Sequence, residues 1–239
     1  MQQVDNRLIV ALDVATMAEV RQLVETLGDT VHYYKVGMQL FYSTGMECLV
    51  YLRELGKDIF LDLKMHDIPN TVAQGAASLT RLGVGMINVQ ASGGAAMMRA
   101  AAVQVAETAA ALNIPRPKLI AVTVLTSMDE QEWASLRYTT GIPEQVVHLA
   151  TMAKEAGLDG VVASPQEAAL IKAACGPDFA IITPGVRPQG AALHDQSRVA
   201  TPAAALSAGA HYLVVGRPIT AAGDPRAAAL AILEEMRQA

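Results

Sequence analysis

Aromatic residues are scarce in this 239-residue chain, at 4% with one tryptophan, while 52% of it is apolar. Ala, Val, Leu and Ile make up most of that share, which points to an aliphatic core of β-branched strands and Ala-rich helices. Cysteine is scarcer still. Cys48 and Cys175 lie far apart and form no CxxC, which excludes a disulfide framework and leaves two reduced, partly buried thiols. The five histidines, at 32, 66, 148, 194 and 211, lack HxxxH and HExxH spacing, so no zinc motif is present. Positive charge is not in excess either. A net charge of -5 and a pI near 5.5 argue against a nucleic-acid partner, but leave room for a local basic pocket holding one phosphate. No uncharged apolar run reaches 18 residues, so no membrane span is expected. Between Arg7 and Asp13 there are only five apolar residues, too few for a signal-peptide core, and a cytoplasmic protein is expected.

No Pro/Gly/Ser-rich linker divides the chain, and mean hydropathy is +0.28, so one domain over residues 1–239 with a large core is expected. Arg7 to Val14 has strand periodicity, with Leu8, Val10 and Leu12 on one face and Ile9, Ala11 and Asp13 on the other. Thr16 is placed to cap the following helix, which Gly28 ends. A second strand covers His32 to Met38, with Tyr33, Lys35 and Gly37 on one face, and a second helix runs from about Gln39 to Leu55. Ile59-Phe60-Leu61 leads a third strand into Asp62-Leu63-Lys64-Met65-His66-Asp67-Ile68-Pro69-Asn70-Thr71. Helix Asn70 to Leu82, strand Met86 to Gln90 and the Ala-rich helix Ala95 to Leu112 follow. Lys118 to Leu125 is a strand, then Asp129 to Arg137 and Pro143 to Ala156 are helical. Strands at Gly160 to Ala163, Ala180 to Thr183 and Tyr212 to Val215 alternate with helices at Pro165 to Ala174, Pro202 to Ala208 and about Pro218 to Met236. Eight such units call for an α/β fold with a parallel sheet, and their continuous aliphatic strands favour a closed (β/α)8 barrel, the TIM barrel, over an open doubly wound sheet.

Such barrels carry their chemistry at the C-terminal strand ends, where Asp13, Lys35, Asp62 and Lys64 fall on three consecutive strands. Strand alternation puts Asp62 and Lys64 on one face. Asp67 extends the run, and signs alternate along Lys35, Asp62, Lys64 and Asp67. Carboxylates flanking an ammonium keep it protonated, so Lys64 reads as a cation and proton donor rather than a Schiff-base nucleophile. That suits a reaction developing negative charge on carbon. After the seventh and eighth strands, Thr183-Pro184-Gly185-Val186-Arg187 and Val215-Gly216-Arg217-Pro218 resemble a phosphate cradle, with residues 187–198 as a lid. Gly93-Gly94 reads as a packing turn and His66 as a hydrogen-bonding group, while Trp133 needs no functional role.

The block DLKMHDIPNT at Asp62 to Thr71 resembles the orotidine 5'-phosphate decarboxylase family of bacterial type. It is joined in order by Leu12-Asp13, Lys35-Val36-Gly37, Leu125-Thr126-Ser127, Pro184-Gly185-Val186-Arg187, Asp195-Gln196-Ser197-Arg198-Val199 and Val214-Val215-Gly216-Arg217-Pro218. The resemblance implies a cofactor-free barrel that turns orotidine 5'-monophosphate into uridine 5'-monophosphate and CO2, the last step of de novo pyrimidine synthesis. Lys64 then stabilises and protonates C6, Asp62 lies near the departing carboxylate, and Lys35 holds Asp62 and the ribose hydroxyls with Asp13. Asp67, Ile68 and Thr71 are implied to reach the neighbouring site of an obligate homodimer. Thr126 and Ser127 face the pyrimidine, and Arg187, Gln196, Gly216 and Arg217 hold the phosphate. Gln90 departs from the histidine common in relatives, and His194 from an acid. The alternatives are a magnesium-dependent sugar-phosphate decarboxylase or aldolase, and a non-catalytic nucleotide-phosphate-binding barrel. The full HDIPN run, and a lysine at 35 where a metal would favour a carboxylate, argue against the first, and retention of all four charged residues against the second.

Overall fold

Leu8–Ala11 (β1), Tyr33–Gly37 (β2), Asp58–Met65 (β3), Met86–Gln90 (β4), Lys118–Val122 (β5), Gly160–Val162 (β6), Ala180–Thr183 (β7) and Tyr212–Val215 (β8) are the strands of the computed structural model, which describes residues 5–188 and 200–239. Each pairs in parallel with the next. β8 returns to β1, so that Ile9 lies beside Tyr33 on one side and Val214 on the other, and the sheet closes. Closure excludes the open doubly wound alternative, since none of the eight described barrel strands is left with an unpaired edge.

Side-chain alternation sorts the strands into two apolar layers. Ile9, Ala11, Tyr33, Phe60, Met86, Ile120, Ala180, Ile182 and Val214 fill the barrel. Leu8, Val10, Leu12, Ile59 and Leu61 point outward, where they share a larger core with the helices. Among the described residues those helices are Met17–Leu27 (α1), Met38–Thr44 (α2), Glu47–Glu54 (α3), Pro69–Thr80 (α4), Gly94–Leu112 (α5), Glu130–Ser135 (α6), Ile142–Glu155 (α7), Ala168–Cys175 (α8), Pro202–Ser207 (α9), Arg217–Thr220 (α10) and Pro225–Arg237 (α11). Thr16 starts α1 with a capping box: its hydroxyl accepts from Glu19 N–H, while the Glu19 carboxylate accepts from Thr16 N–H. Val20, Val24 and Leu27 then bury one face of the helix.

Several elements are shorter or more divided than periodicity predicts. The helix expected over 39–55 breaks at Gly45, whose φ of 59° lies in the left-handed region that ends helices. The last helix is also two, because Asp224 accepts from Ala227 N–H and Pro225 takes the first helical position, restarting the chain as α11. The helix expected from Pro165 opens as a 3-10 turn over Pro165–Glu167 before α8. β5 stops at Val122, three residues short of the expected end, which releases Val124 and Leu125 to line a cavity. At Gly93 an added Cβ would lie within 2.5 Å of two Met97 atoms, in keeping with the packing turn expected there. No described helix is long and apolar enough to cross a membrane.

Candidate active site

The C-terminal ends of β1, β2 and β3 bring four charged groups into a line of alternating sign. Lys35 Nζ donates to Asp13 Oδ1 at 2.9 Å and lies 3.5 Å from Asp62 Oδ2. Lys64 Nζ donates to the other oxygen, Asp62 Oδ1, at 2.8 Å. Gly37 makes room for this line, since a Cβ there would sit 2.9 Å from Lys35 Nζ. Asp62 is 8% exposed. Burial pushes its carboxyl up, but the charges of Lys35 and Lys64, with hydrogen bonds from Lys64 and Asn88, outweigh burial and hold it below the usual aspartate range. It is therefore an anion at neutral pH, clamped between two cations.

Asp62 and Lys64 meet as expected, but not by simple strand alternation. Between Leu61 and Met65 the β3–β4 register shifts, with Leu61 opposite Ile87 and Met65 opposite Val89. Within that bulge Lys64 has φ 51°, a left-handed conformation. For a residue with a Cβ this costs about 1–3 kcal/mol and persists only where neighbours enforce it. Asn88 on β4 is such a neighbour: its Oδ1 accepts from Lys64 N–H at 2.8 Å and its Nδ2 donates to Asp62 Oδ1 at 2.7 Å. Sequence reasoning missed Asn88. The available signal was a lone amide inside Met86-Ile87-Asn88-Val89, in phase with Met86, which faces the barrel interior.

Two cavities adjoin the charged line and share Lys35, Pro184 and Val214. One, of about 220 Å³, is lined by Asp62 and Lys64, by Thr126 and Ser127, and by the apolar Phe60, Val122, Val124, Val162 and Val214. The other, of about 380 Å³, contains Asp13, Gln39, Gly185, Arg187, Gly216, Arg217 and Thr220. Arg187 is buried, and its pKa is lowered by that burial and by the nearby charge of Arg217. A bound anion near these guanidinium groups would offset both by favouring their charged forms. The first cavity thus sets apolar lining beside the Lys64 ammonium, and the second sets two guanidinium groups beside Gly185 and Gly216.

Of the residues singled out in the sequence, Lys35, Asp62, Lys64, Thr126 and Ser127 border the first cavity, and Asp13, Lys35, Arg187, Gly216 and Arg217 the second. Asp67, Ile68 and Thr71 lie apart, on an exposed turn into α4, where Asp67 Oδ1 accepts from Ile68 N–H at 2.6 Å. Gln196 and His194 lie outside the described residues, as does most of the expected lid. His66 is exposed and lines a third cavity of about 460 Å³, and among the described residues its side chain makes no hydrogen bond, contrary to the role expected of it. Trp133 also borders that cavity, stacked on Tyr138 at 4.1 Å between ring centroids, with its indole N–H donating to Thr140 O.

Residues 6–232 match the family model described as "Orotidine 5'-phosphate decarboxylase / HUMPS family". Relatives named orotidine 5'-phosphate decarboxylase include one from Moorella thermoacetica, 54% identical over 97% of this chain and 92% of its own length. Another, from Geobacter metallireducens, is 48% identical over 98% of this chain and 97% of its own. A solved structure of orotidine 5'-phosphate decarboxylase from Lactobacillus acidophilus superposes with a TM-score of 0.84 at 41% identity, covering 97% of this chain and 99% of that one.

Proposed function

Because the chain belongs to the orotidine 5'-phosphate decarboxylase / HUMPS family, we propose that its charged line is the catalytic apparatus of orotidine 5'-monophosphate decarboxylation, with Lys64 as the proton donor. The enzyme converts orotidine 5'-monophosphate to uridine 5'-monophosphate and CO2 in pyrimidine biosynthesis. The observation that carries the residue roles is the join between the two cavities: the Lys64 ammonium stands over the apolar slot, and the Arg187–Arg217 chamber opens beyond Lys35.

In this arrangement the pyrimidine enters the slot beside Thr126 and Ser127, with C6 toward Lys64 and the carboxylate toward Asp62. The ribose lies over Asp13 and Lys35, and the phosphate dianion between Arg187 and Arg217 at the Gly185 and Gly216 backbone, with Gln196 contributing from the following segment. Breaking the C6–carboxylate bond leaves an electron pair on C6. Lys64 Nζ–H stabilises that pair and then transfers its proton to C6, so one proton from solvent replaces one CO2 over the cycle. Asp62, held as an anion, fixes the ammonium before substrate arrives, so little reorganisation is needed during the step. Phosphate binding, remote from C6, orders the site for chemistry at the other end. This route needs no cofactor or metal.

A homodimer completes the proposed site, with Asp67, Ile68 and Thr71 presented to a neighbouring subunit's ribose. Ile68, which follows Asp67, is 66% exposed, an apolar side chain that a neighbouring subunit would cover. A cytoplasmic location fits the two free thiols, Cys48 and Cys175. The test is the loss of orotidine 5'-monophosphate absorbance with EDTA-treated protein. Turnover that persists after chelation is expected, and no turnover by folded, UMP-binding protein would refute the assignment.

A further inference from the structure

We propose that Asn88 is a positioning residue for the reaction, its one amide holding both the Lys64 backbone and the Asp62 carboxylate so that ammonium and carboxylate stay in register. The inference rests on the decarboxylase reading of the site for its consequence, but not for its geometry. Asn88 is 1% exposed. Its amide orientation is fixed by its partners, because a backbone N–H can only donate to Oδ1 and an ionised carboxylate can only accept from Nδ2.

Two details set Asn88 apart from an ordinary buried amide. First, it bonds Lys64 N–H inside the register shift between Leu61 and Met65, where β4 offers no backbone partner in phase. Its side chain stands in for the missing ladder carbonyl and holds the left-handed Lys64. Second, it shares Asp62 Oδ1 with Lys64 Nζ, while Lys35 approaches Oδ2. The charged groups facing Asp62 among the described residues are Lys35 from β2 and Lys64 on its own strand, with Asp13 of the β1 end beyond Lys35. From β4 the carboxylate meets a neutral donor. That donor fixes the carboxylate without adding a third cation that would compete for it.

Asn88→Ala and Asn88→Asp separate the two roles. Alanine removes both bonds. Aspartate keeps an acceptor for Lys64 N–H but replaces the donor with a second carboxyl beside Asp62. In Asn88→Ala we expect kcat to fall about 10- to 100-fold with KM and product affinity little changed, because the ammonium is misplaced rather than the phosphate grip lost. In Asn88→Asp the acid limb of the pH–rate profile moves to higher pH, since two adjoining carboxyls do not both ionise readily. Carbon-13 titration of the Asp62 carboxyl gives a readout independent of turnover, and its midpoint should rise in both variants. Should Asn88→Ala not fold, the near-isosteric Asn88→Asp carries the test. Wild-type kcat and an unmoved Asp62 titration would overturn the proposal. So would a joint change in kcat and KM with that titration unmoved, the mark of general loosening. If the wild-type protein proves inactive on orotidine 5'-monophosphate, the functional reading fails while the titration still decides the role of Asn88.

Discussion

Lys35 stands between two carboxylates, and removing it tests how the line is held. In the native protein Asp62 is kept below the ordinary aspartate value of about 3.9. As pH falls, the unfolded chain therefore takes up its proton first. The stability that Asp62 contributes is present above the unfolded value and is lost as pH drops toward the folded one. Lys35→Met leaves the buried carboxylate with one ammonium, so burial raises its pKa against weaker opposition. Asp62 keeps Lys64 and Asn88, so the loss is that of one charged contact, about 1.5–3 kcal/mol, and at about 2–4 °C per kcal/mol for a chain of this size the Tm near neutral pH should drop by roughly 3–12 °C. Because the folded value moves up toward an unchanged unfolded one, the acid-linked loss that Asp62 contributes should also become smaller. Thermal melts across the acid range check this, and a profile parallel to wild type would contradict it. Asp13, Lys35, Asp62 and Lys64 were legible in the sequence because charge at successive strand ends is conspicuous. Asn88 was not, because an uncharged amide in an apolar strand gives no hint of which neighbours it meets, and those neighbours depend on a register shift that no local pattern encodes.

At the level of elements, caps and stops were easier to read than breaks. Thr16 and Gly28 bound α1 as their chemistry predicts. The division between α10 and α11 was hidden because Ala221-Ala222-Gly223 continues an apolar, helix-compatible stretch, and the decisive residues are Asp224 and Pro225. If Asp224 is what restarts the chain, Asp224→Ala should destabilise the protein by about 1 kcal/mol through loss of the N-cap bond. That corresponds to a Tm lower by about 2–4 °C, with kcat and KM unchanged because neither cavity includes the α11 cap. Calorimetry beside steady-state assays separates these effects, and a wild-type Tm in the variant would show that α11 is held by packing alone. The early end of β5 has a different cause. Val124 and Leu125 continue its apolar run, but they line the slot instead of pairing with β6, whose ladder with β5 spans three residues, Ile120 to Val122.

For the whole molecule, eight alternating units sufficed to anticipate a parallel barrel, and the pairing of β8 with β1 closes it. The proposed second copy, by contrast, would leave few marks on one chain. Asp67 continues the alternating signs of Lys35, Asp62 and Lys64, yet among the described residues it pairs with no cation and turns outward beside the exposed Ile68. Such placement is wasteful if Asp67 serves its own site and sensible if it serves a neighbour's. The two cases separate by complementation. Lys64→Ala and Asp67→Ala homodimers should each be nearly inactive. In a mixed dimer one site combines both lesions, while the other has its own Lys64 and the neighbour's Asp67 intact. Random exchange of equal amounts makes half the dimers mixed, each with one good site, so activity should recover to about a quarter of wild type. Subunit exchange is followed independently with tagged chains. If mixed dimers form and activity stays at the level of the separate variants, Asp67 acts within its own chain, and the shared-site proposal is wrong.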